Sequence, residues 1–389
     1  MFILRLAPHY FAVFLFITVE AIAAVRQGFP GFVVFGYLPE WRYEALNWET
    51  AAEHVSHIIL FSMEMSGDGN LKARDRFPRE ELLIEARKAT KKHGSRVLLC
   101  FGGNGRSSGF SAMVKSSASR KNFIQGMMRL VEVSNIDGID YNWEYPGYIF
   151  GKGYSNNDKV MQDYSGLLKL LRETREAFDA YQDRKRSLRR LELTMAYYPD
   201  GRQEKLIKFF EMEKYVDYFH MMAYDQHGEQ HSSFEFAMKS VDLGTQRGLP
   251  LSKMTLGLPF YGRDVKGDWT TYEDMLQRYS PLFPGDDIVG TIGYNSVETI
   301  KRKVAMSIQK QIGGVMIWEI GQDCRLIPTY RGDSVHAATC TNGTSDSLLY
   351  AITETIMKET KLERYRAEDW VSAKLNNSAF VDSKVRNEL

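Results

Sequence analysis

The chain has 389 residues, with 50 Lys+Arg against 49 Asp+Glu, 44% apolar and 25% charged residues. Such a chain can bury a large core without disulfide staples, and intrinsic disorder is excluded. The net charge of +1 offers no chain-wide basic field to nucleic acid or an anionic membrane, so neither is expected as a partner. Phe, Tyr and Trp together reach 13%, more than a core needs, so some are expected to line a binding surface.

Residues 1 to 25 read as a secretory signal peptide. Arg5 supplies the positive start, Phe11–Ile17 the apolar stretch, and Ala21-Ile22-Ala23 a small-x-small cleavage site. Glu20 interrupts the run, which falls short of the ~20 residues a bilayer span needs. No later segment is long and apolar enough to cross a membrane, so the cleaved chain is expected to be soluble. Residues 26–340 are expected to form one barrel domain, and 341–389 a polar hinge, a helix near Leu348–Lys361 and a charged, poorly ordered tail.

Eight strand-like runs follow in order: Val33–Tyr37, His57–Phe61, Val97–Phe101, Gly138–Trp143, Glu192–Tyr197, Tyr218–Ala223, Thr255–Leu258 and Gly314–Trp318. Each is nearly continuous in apolar residues, as when both faces of a parallel strand are covered. Helical spacing appears between them in Glu80–His93, Arg120–Val133, Val160–Ala180 and Ser296–Gln311. The alternation predicts an α/β fold, a (β/α)₈ TIM barrel. A doubly wound sheet is the competing reading, weakened by eight repeats and the lack of a Gly-x-Gly-x-x-Gly loop. The charged stretch Tyr181–Arg190 reads as a solvated helix-to-strand connection.

Cys324 and Cys340 form the plausible disulfide, and Cys100, inside an apolar run, reads as a buried free thiol. Asn342-Gly343-Thr344 and Asn376-Asn377-Ser378 are glycosylation acceptors. The terminal Arg386-Asn387-Glu388-Leu389 is similar to an endoplasmic reticulum retrieval signal, leaving retention in the lumen and export both open.

The most informative segment is Asp137-Gly138-Ile139-Asp140-Tyr141-Asn142-Trp143-Glu144-Tyr145-Pro146. Strand alternation places Asp140, Asn142 and Glu144 on one face, with Tyr141 and Trp143 on the other. Pro146 ends the run, leaving Glu144 at the C-terminal rim, where barrel enzymes carry their active sites. A partly desolvated carboxylic acid there, near a second carboxylate, would have a raised pKa and could act as a general acid. Polar filling of a barrel interior is the alternative. Two carboxylates and an amide make a poor transition-metal set, so no metal is expected.

The segment resembles the Asp-Gly-x-Asp-x-Asp-x-Glu signature of family 18 glycoside hydrolases, the chitinases and chitinase-like proteins. Further resemblances follow in chain order: Phe35-Gly36-Tyr37 with Trp41, Val55–Ile59, Cys100-Phe101-Gly102-Gly103, Met222-Ala223-Tyr224-Asp225, Gly257–Gly262 and Gly314–Glu319. The resemblance implies substrate-assisted retaining hydrolysis of β-1,4-linked N-acetylglucosamine oligosaccharides, with no cofactor. Glu144 would be the acid/base and Tyr224 would hold the substrate acetamido group, with Asp140 and Asn142 completing the catalytic set. Tyr37, Gly102, Gly103, Tyr145, Met222, Asp225 and Trp318 would bind substrate. A monomer is expected.

Three departures qualify this. Asn142 stands where active members usually carry Asp, which implies weakened hydrolysis or, alternatively, a non-catalytic lectin. Asn104 replaces a common stacking Trp. The interval from Gly262 to Gly313 leaves too little chain for a full α+β insertion domain, although Trp269 in it is expected to supply a wall of the groove. Together these favour soluble oligosaccharides or glycoprotein glycans over an insoluble polymer.

Overall fold

The structure, a computed structural model, describes residues 31–187 and 190–359. The signal segment, the acceptor at Asn376 and the C-terminal tetrapeptide lie outside the described residues. Eight strands form the central sheet: β1 (Val33–Pro39), β2 (His57–Met65), β3 (Arg96–Gly102), β4 (Gly138–Asn142), β5 (Glu192–Tyr197), β6 (Tyr218–Met221), β7 (Met254–Pro259) and β8 (Gly314–Trp318). Each pairs in parallel with its chain neighbours, and β1 pairs with β8, Phe35 opposite Met316, closing the sheet into a (β/α)₈ barrel.

The strand runs are buried on both faces for two different reasons. Outward residues such as Val34, Ile58, Leu99 and Leu193 pack under the helices in the main core. Inward ones such as Phe35, Ile59, Leu98, Ala196 and Met316 fill the barrel in a separate cluster. The N-terminal end of the barrel is plugged by Glu192, which lies 2.8 Å from His57 and 2.6 Å from Arg96, with Phe35 stacked on the His57 ring. The opposite, C-terminal end is left to the polar residues of the strand tips.

The helix after β4 runs Asn157–Lys185 and so takes in the first half of the charged helix-to-strand connection Tyr181–Arg190. Arg184 and Lys185 are held by Glu132 of the preceding helix, so the charge run forms an ion-paired helical face, and Arg186 in left-handed conformation ends it. The interval between β7 and β8 is too short for a full insertion domain but forms a small sheet with one helix. Four antiparallel strands (Tyr261–Asp264, Trp269–Thr271, Ile288–Val289, Ile292–Gly293) flank the helix Tyr272–Tyr279.

Past β8, Cys324 and Cys340 are disulfide-bonded and Cys100 is a buried free thiol. Buried Asp323 accepts the N–H groups of Leu348 and Leu349 and the Ser347 hydroxyl, starting the helix Leu348–Glu359. That helix reaches both ends of the barrel ring, since Thr353 bonds His54 at 2.8 Å and Glu354 pairs with Lys301 at 2.9 Å. Asn342 is exposed. Among the described residues no helix is long and apolar enough to cross a membrane.

Candidate active site

Asp140, facing inward on β4, meets side chains from four other strands. Asp140 is fully buried; Tyr37 of β1 donates to its Oδ2 at 2.7 Å and Thr194 of β5 to its Oδ1 at 2.7 Å. The Cys100 thiol is a third donor. Burial still raises the Asp140 pKa, because these bonds only partly offset the cost of an ion inside the barrel. His220 of β6 lies beneath, its Nε2 3.8 Å from Oδ1. Tyr141 and Trp143 point outward as alternation requires, Tyr141 to Thr174 and Trp143 stacked on Phe110.

Glu144 follows the end of β4 and is half-buried. Burial pushes its pKa up to about 7; the Asn142 amide, which donates to it, works the other way, and nearby Asp225 adds a smaller upward push. A carboxyl poised at that value suits proton transfer in both directions near neutrality. Its backbone N–H donates to Ser107 Oγ at 3.0 Å, and Ser107 donates to Gly103 O at 3.0 Å. Gly102 and Gly103 lie behind this support. A side chain at Gly103 would sit 2.3 Å from the Phe61 ring, and one at Gly102 2.3 Å from Asn142 O, with φ at +109° and +103°. Their packing gives the glycine pair a structural reason for being there.

The far wall comes from β6, β7 and β8. Met222 and Tyr224 are buried in the interior cluster, and the Tyr224 hydroxyl meets only the weak acceptor Met316 Sδ at 3.8 Å, so it can turn to a ligand. Asp225 is half-exposed; Tyr261 donates to its Oδ1 at 2.7 Å and Arg263 pairs with it at 2.9 Å. Trp318 packs against Tyr37 and edge-on to Phe61. Tyr145 joins Tyr148 and Tyr198 at the rim. Arg106 is held by both oxygens of Glu40 and lies against Trp41 and Phe61. Asn104 and Trp269 are exposed, Trp269 on the second strand of the small sheet.

The catalytic and substrate-binding candidates singled out in the sequence thus lie together at one end of the barrel. Ser107, Thr194, His220, Tyr261 and Arg263 were missed. Thr194 and Tyr261 carried a usable signal, since each is polar at an inward or rim position of a predicted strand run. Ser107 carried none. Among the described residues no group of three His, Cys, Asp or Glu side chains is placed to hold a metal.

The family model for glycosyl hydrolases family 18 matches residues 33–323, and the chain belongs to that family. It is 27% identical over 293 residues to probable chitinase 2 of Drosophila melanogaster, covering 59% of this chain and 56% of that one. The chain thus spans just over half the length of that relative. Among solved structures it is similar to a chitinase from Bacteroides thetaiotaomicron, with a TM-score of 0.66 and 22% identity over 86% of this chain and 99% of that one. It is also similar to human YKL-39, described as a pseudo-chitinase with retained chitooligosaccharide binding, with a TM-score of 0.65 and 20% identity over 84% of this chain and 99% of that one.

Proposed function

We propose that the protein hydrolyses β-1,4-linked N-acetylglucosamine oligosaccharides with retention, Glu144 serving as acid and then base. The observation that carries this reading is Glu144 itself, held at the mouth by Ser107 with its pKa raised to about 7. Glu144 gives its proton to the glycosidic oxygen while the substrate's acetamido carbonyl oxygen attacks the anomeric carbon. Tyr224, with its hydroxyl free to donate, orients that carbonyl. Water opens the resulting oxazolinium ion and returns a proton to Glu144. Tyr37, Met222, Tyr145, Asp225 and Trp318 enclose the sugar bound at the cleavage point, and no cofactor takes part.

Asn142 limits the rate in this scheme. Its Oδ1 is buried without a partner and is available to the acetamido N–H, but it brings no negative charge to a cationic intermediate. Losing such stabilisation in a dry pocket costs ~10²–10³ in rate. The same residue favours a second reading, a lectin-like binder of these oligosaccharides, which is also what YKL-39 is described as. Mass spectrometry of chito-oligosaccharides incubated with wild type, Asn142→Asp and Glu144→Gln separates the two. Products from wild type that vanish with Glu144→Gln support hydrolysis; products only after Asn142→Asp support the binder; silence from all three sinks hydrolysis of these oligosaccharides and moves the search to N-glycans, the binder then standing or falling on a direct measurement of chito-oligosaccharide affinity.

The domain division at residues 25 and 340, passage through the secretory pathway with retention or export, glycosylation at Asn342, and a monomeric state belong to the same proposal.

A further inference from the structure

Behind Tyr224 and Asp225 the chain buries a lysine that no step above uses. Lys303, on the helix Val297–Gln309, has no exposed surface. Its Nζ donates to Ser232 O at 2.6 Å, Ser232 Oγ at 2.9 Å and Asn295 Oδ1 at 2.7 Å. All three acceptors are uncharged, so the ammonium is saturated with hydrogen bonds but not neutralised by them.

Those acceptors lead to the site in one step. Ser232 Oγ donates to Ala223 O at 2.7 Å, the carbonyl that precedes Tyr224. The neighbouring His231 accepts the Asp225 N–H on Nδ1 at 3.3 Å, and its ring packs on Tyr261, which itself donates to Asp225. Gln230 is fastened to Tyr294 O at 2.6 Å. Together they hold Asp225 at φ +64°. Aspartate tolerates that left-handed conformation better than most residues, and these bonds hold it there.

We propose that Lys303 is a positioning residue: its ammonium ties Gln230–Ser232 to the outer helix, fixes the backbone of Tyr224 and Asp225, and releases it when the proton leaves. The proposal rests on the sugar-binding reading of that pocket. A neutral amine has two N–H groups for three acceptors, so one of the three bonds from Nζ must be lost; Ser232 O would keep the Asn295 Nδ2–H at 2.8 Å, whereas loss at Ser232 Oγ or Asn295 Oδ1 is not made good by any other contact of this cluster. Burial pushes the Lys303 pKa down to about 7, while Asp287 and Glu235, facing it from the small-sheet loop and the helix Phe234–Gln246, pull it upward. His231, the other titratable group beside it, is pushed down to about 4 by burial and stays neutral through this range. The sign is therefore a fixed pocket below about pH 7 and a loosened one above.

The test uses full-length Glu144→Gln, which removes turnover and the titration of Glu144. Chito-oligosaccharide affinity is measured across the neutral range, together with the ring ¹⁵N signals of His231. Affinity is expected to fall about fivefold or more as pH rises through about 7. Adding Asn295→Asp gives the ammonium a carboxylate partner, and the fall should move up by about one pH unit or more. Adding Lys303→Met should give weak, pH-independent binding and His231 signals that no longer shift near pH 7. A profile unmoved by Asn295→Asp, or Lys303→Met that keeps its parent's affinity, pH profile and His231 signals, overturns the proposal. His231 signals that follow Lys303 in a wild type binding no oligosaccharide would support the coupling and overturn the sugar reading alone.

Discussion

The side-chain amide of Asn142 donates to the carboxyl of Glu144 and leaves its own Oδ1 buried with no partner. One residue thus lowers the pKa of the acid and withholds charge from the intermediate. Asn142→Asp reverses both effects, replacing a donor by a like charge. Glu144 must be protonated to act, so kcat/KM is expected to fall as pH rises through about 7 in the wild type. In Asn142→Asp that limb should move to higher pH, and kcat should rise by ~10²–10³. A pH–rate profile of the two proteins checks both; a limb that moves down contradicts the direction assigned to the amide.

Glu144→Gln keeps the shape of the side chain and the backbone bond to Ser107, and removes the transferable proton. Turnover should drop by at least ~10²–10⁴, with oligosaccharide affinity within a few-fold of wild type. Calorimetric titration beside the rate assay makes the comparison. Equal loss of rate and affinity would assign Glu144 a structural role instead.

Asp140 is a carboxyl with no exposed surface, its pKa raised by burial, and it is held by Tyr37, Thr194 and Cys100. Removing one hydroxyl in Tyr37→Phe or Thr194→Val strips a hydrogen bond from a buried charge, a loss of about 1.5–3 kcal/mol. Denaturant unfolding should show it at neutral pH. The loss should shrink in acid, where Asp140 protonates and needs fewer donors. An undiminished midpoint would mean that the remaining bonds satisfy the carboxylate.

The disulfide closes a loop with a sequence separation of 16. Replacing both cysteines by serine should cost about 3 kcal/mol by loop-closure entropy. Asp323→Asn adds a separate loss of about 1–3 kcal/mol, since its amide end turns a donor toward the N–H groups that start the helix Leu348–Glu359. Hydrogen exchange within that helix distinguishes the two, being raised far more by Asp323→Asn than by loss of the disulfide.

The barrel was legible because its strands are buried on both faces and so stand out as short apolar runs between amphipathic stretches. Period-two alternation was enough to set Asp140, Asn142 and Glu144 on one face. What stayed hidden is held by partners far apart in the chain. Arg106 against Glu40 and Trp41, Ser107 under Glu144, and Tyr261 and Arg263 on Asp225 are each meaningless until the loops are brought together. The small sheet between β7 and β8 escaped because strands of two to four residues leave no period to read. The last turns of the helix Asn157–Lys185 escaped because charge alone does not distinguish an ion-paired helix from a loop.

The pairing of β1 with β8 has a consequence for synthesis. Val33 finds its partner Gly314 only after about 280 further residues have been made, which at ~5–20 residues per second takes some tens of seconds. Until then β1 presents an unpaired hydrophobic edge, the kind of surface that templates aggregation. The helix that fastens the ring to Lys301 and His54 emerges later still. A nascent chain of this protein is therefore committed to a long wait with an open seam, and its yield should depend on chaperone supply more steeply than the stability of the finished fold implies.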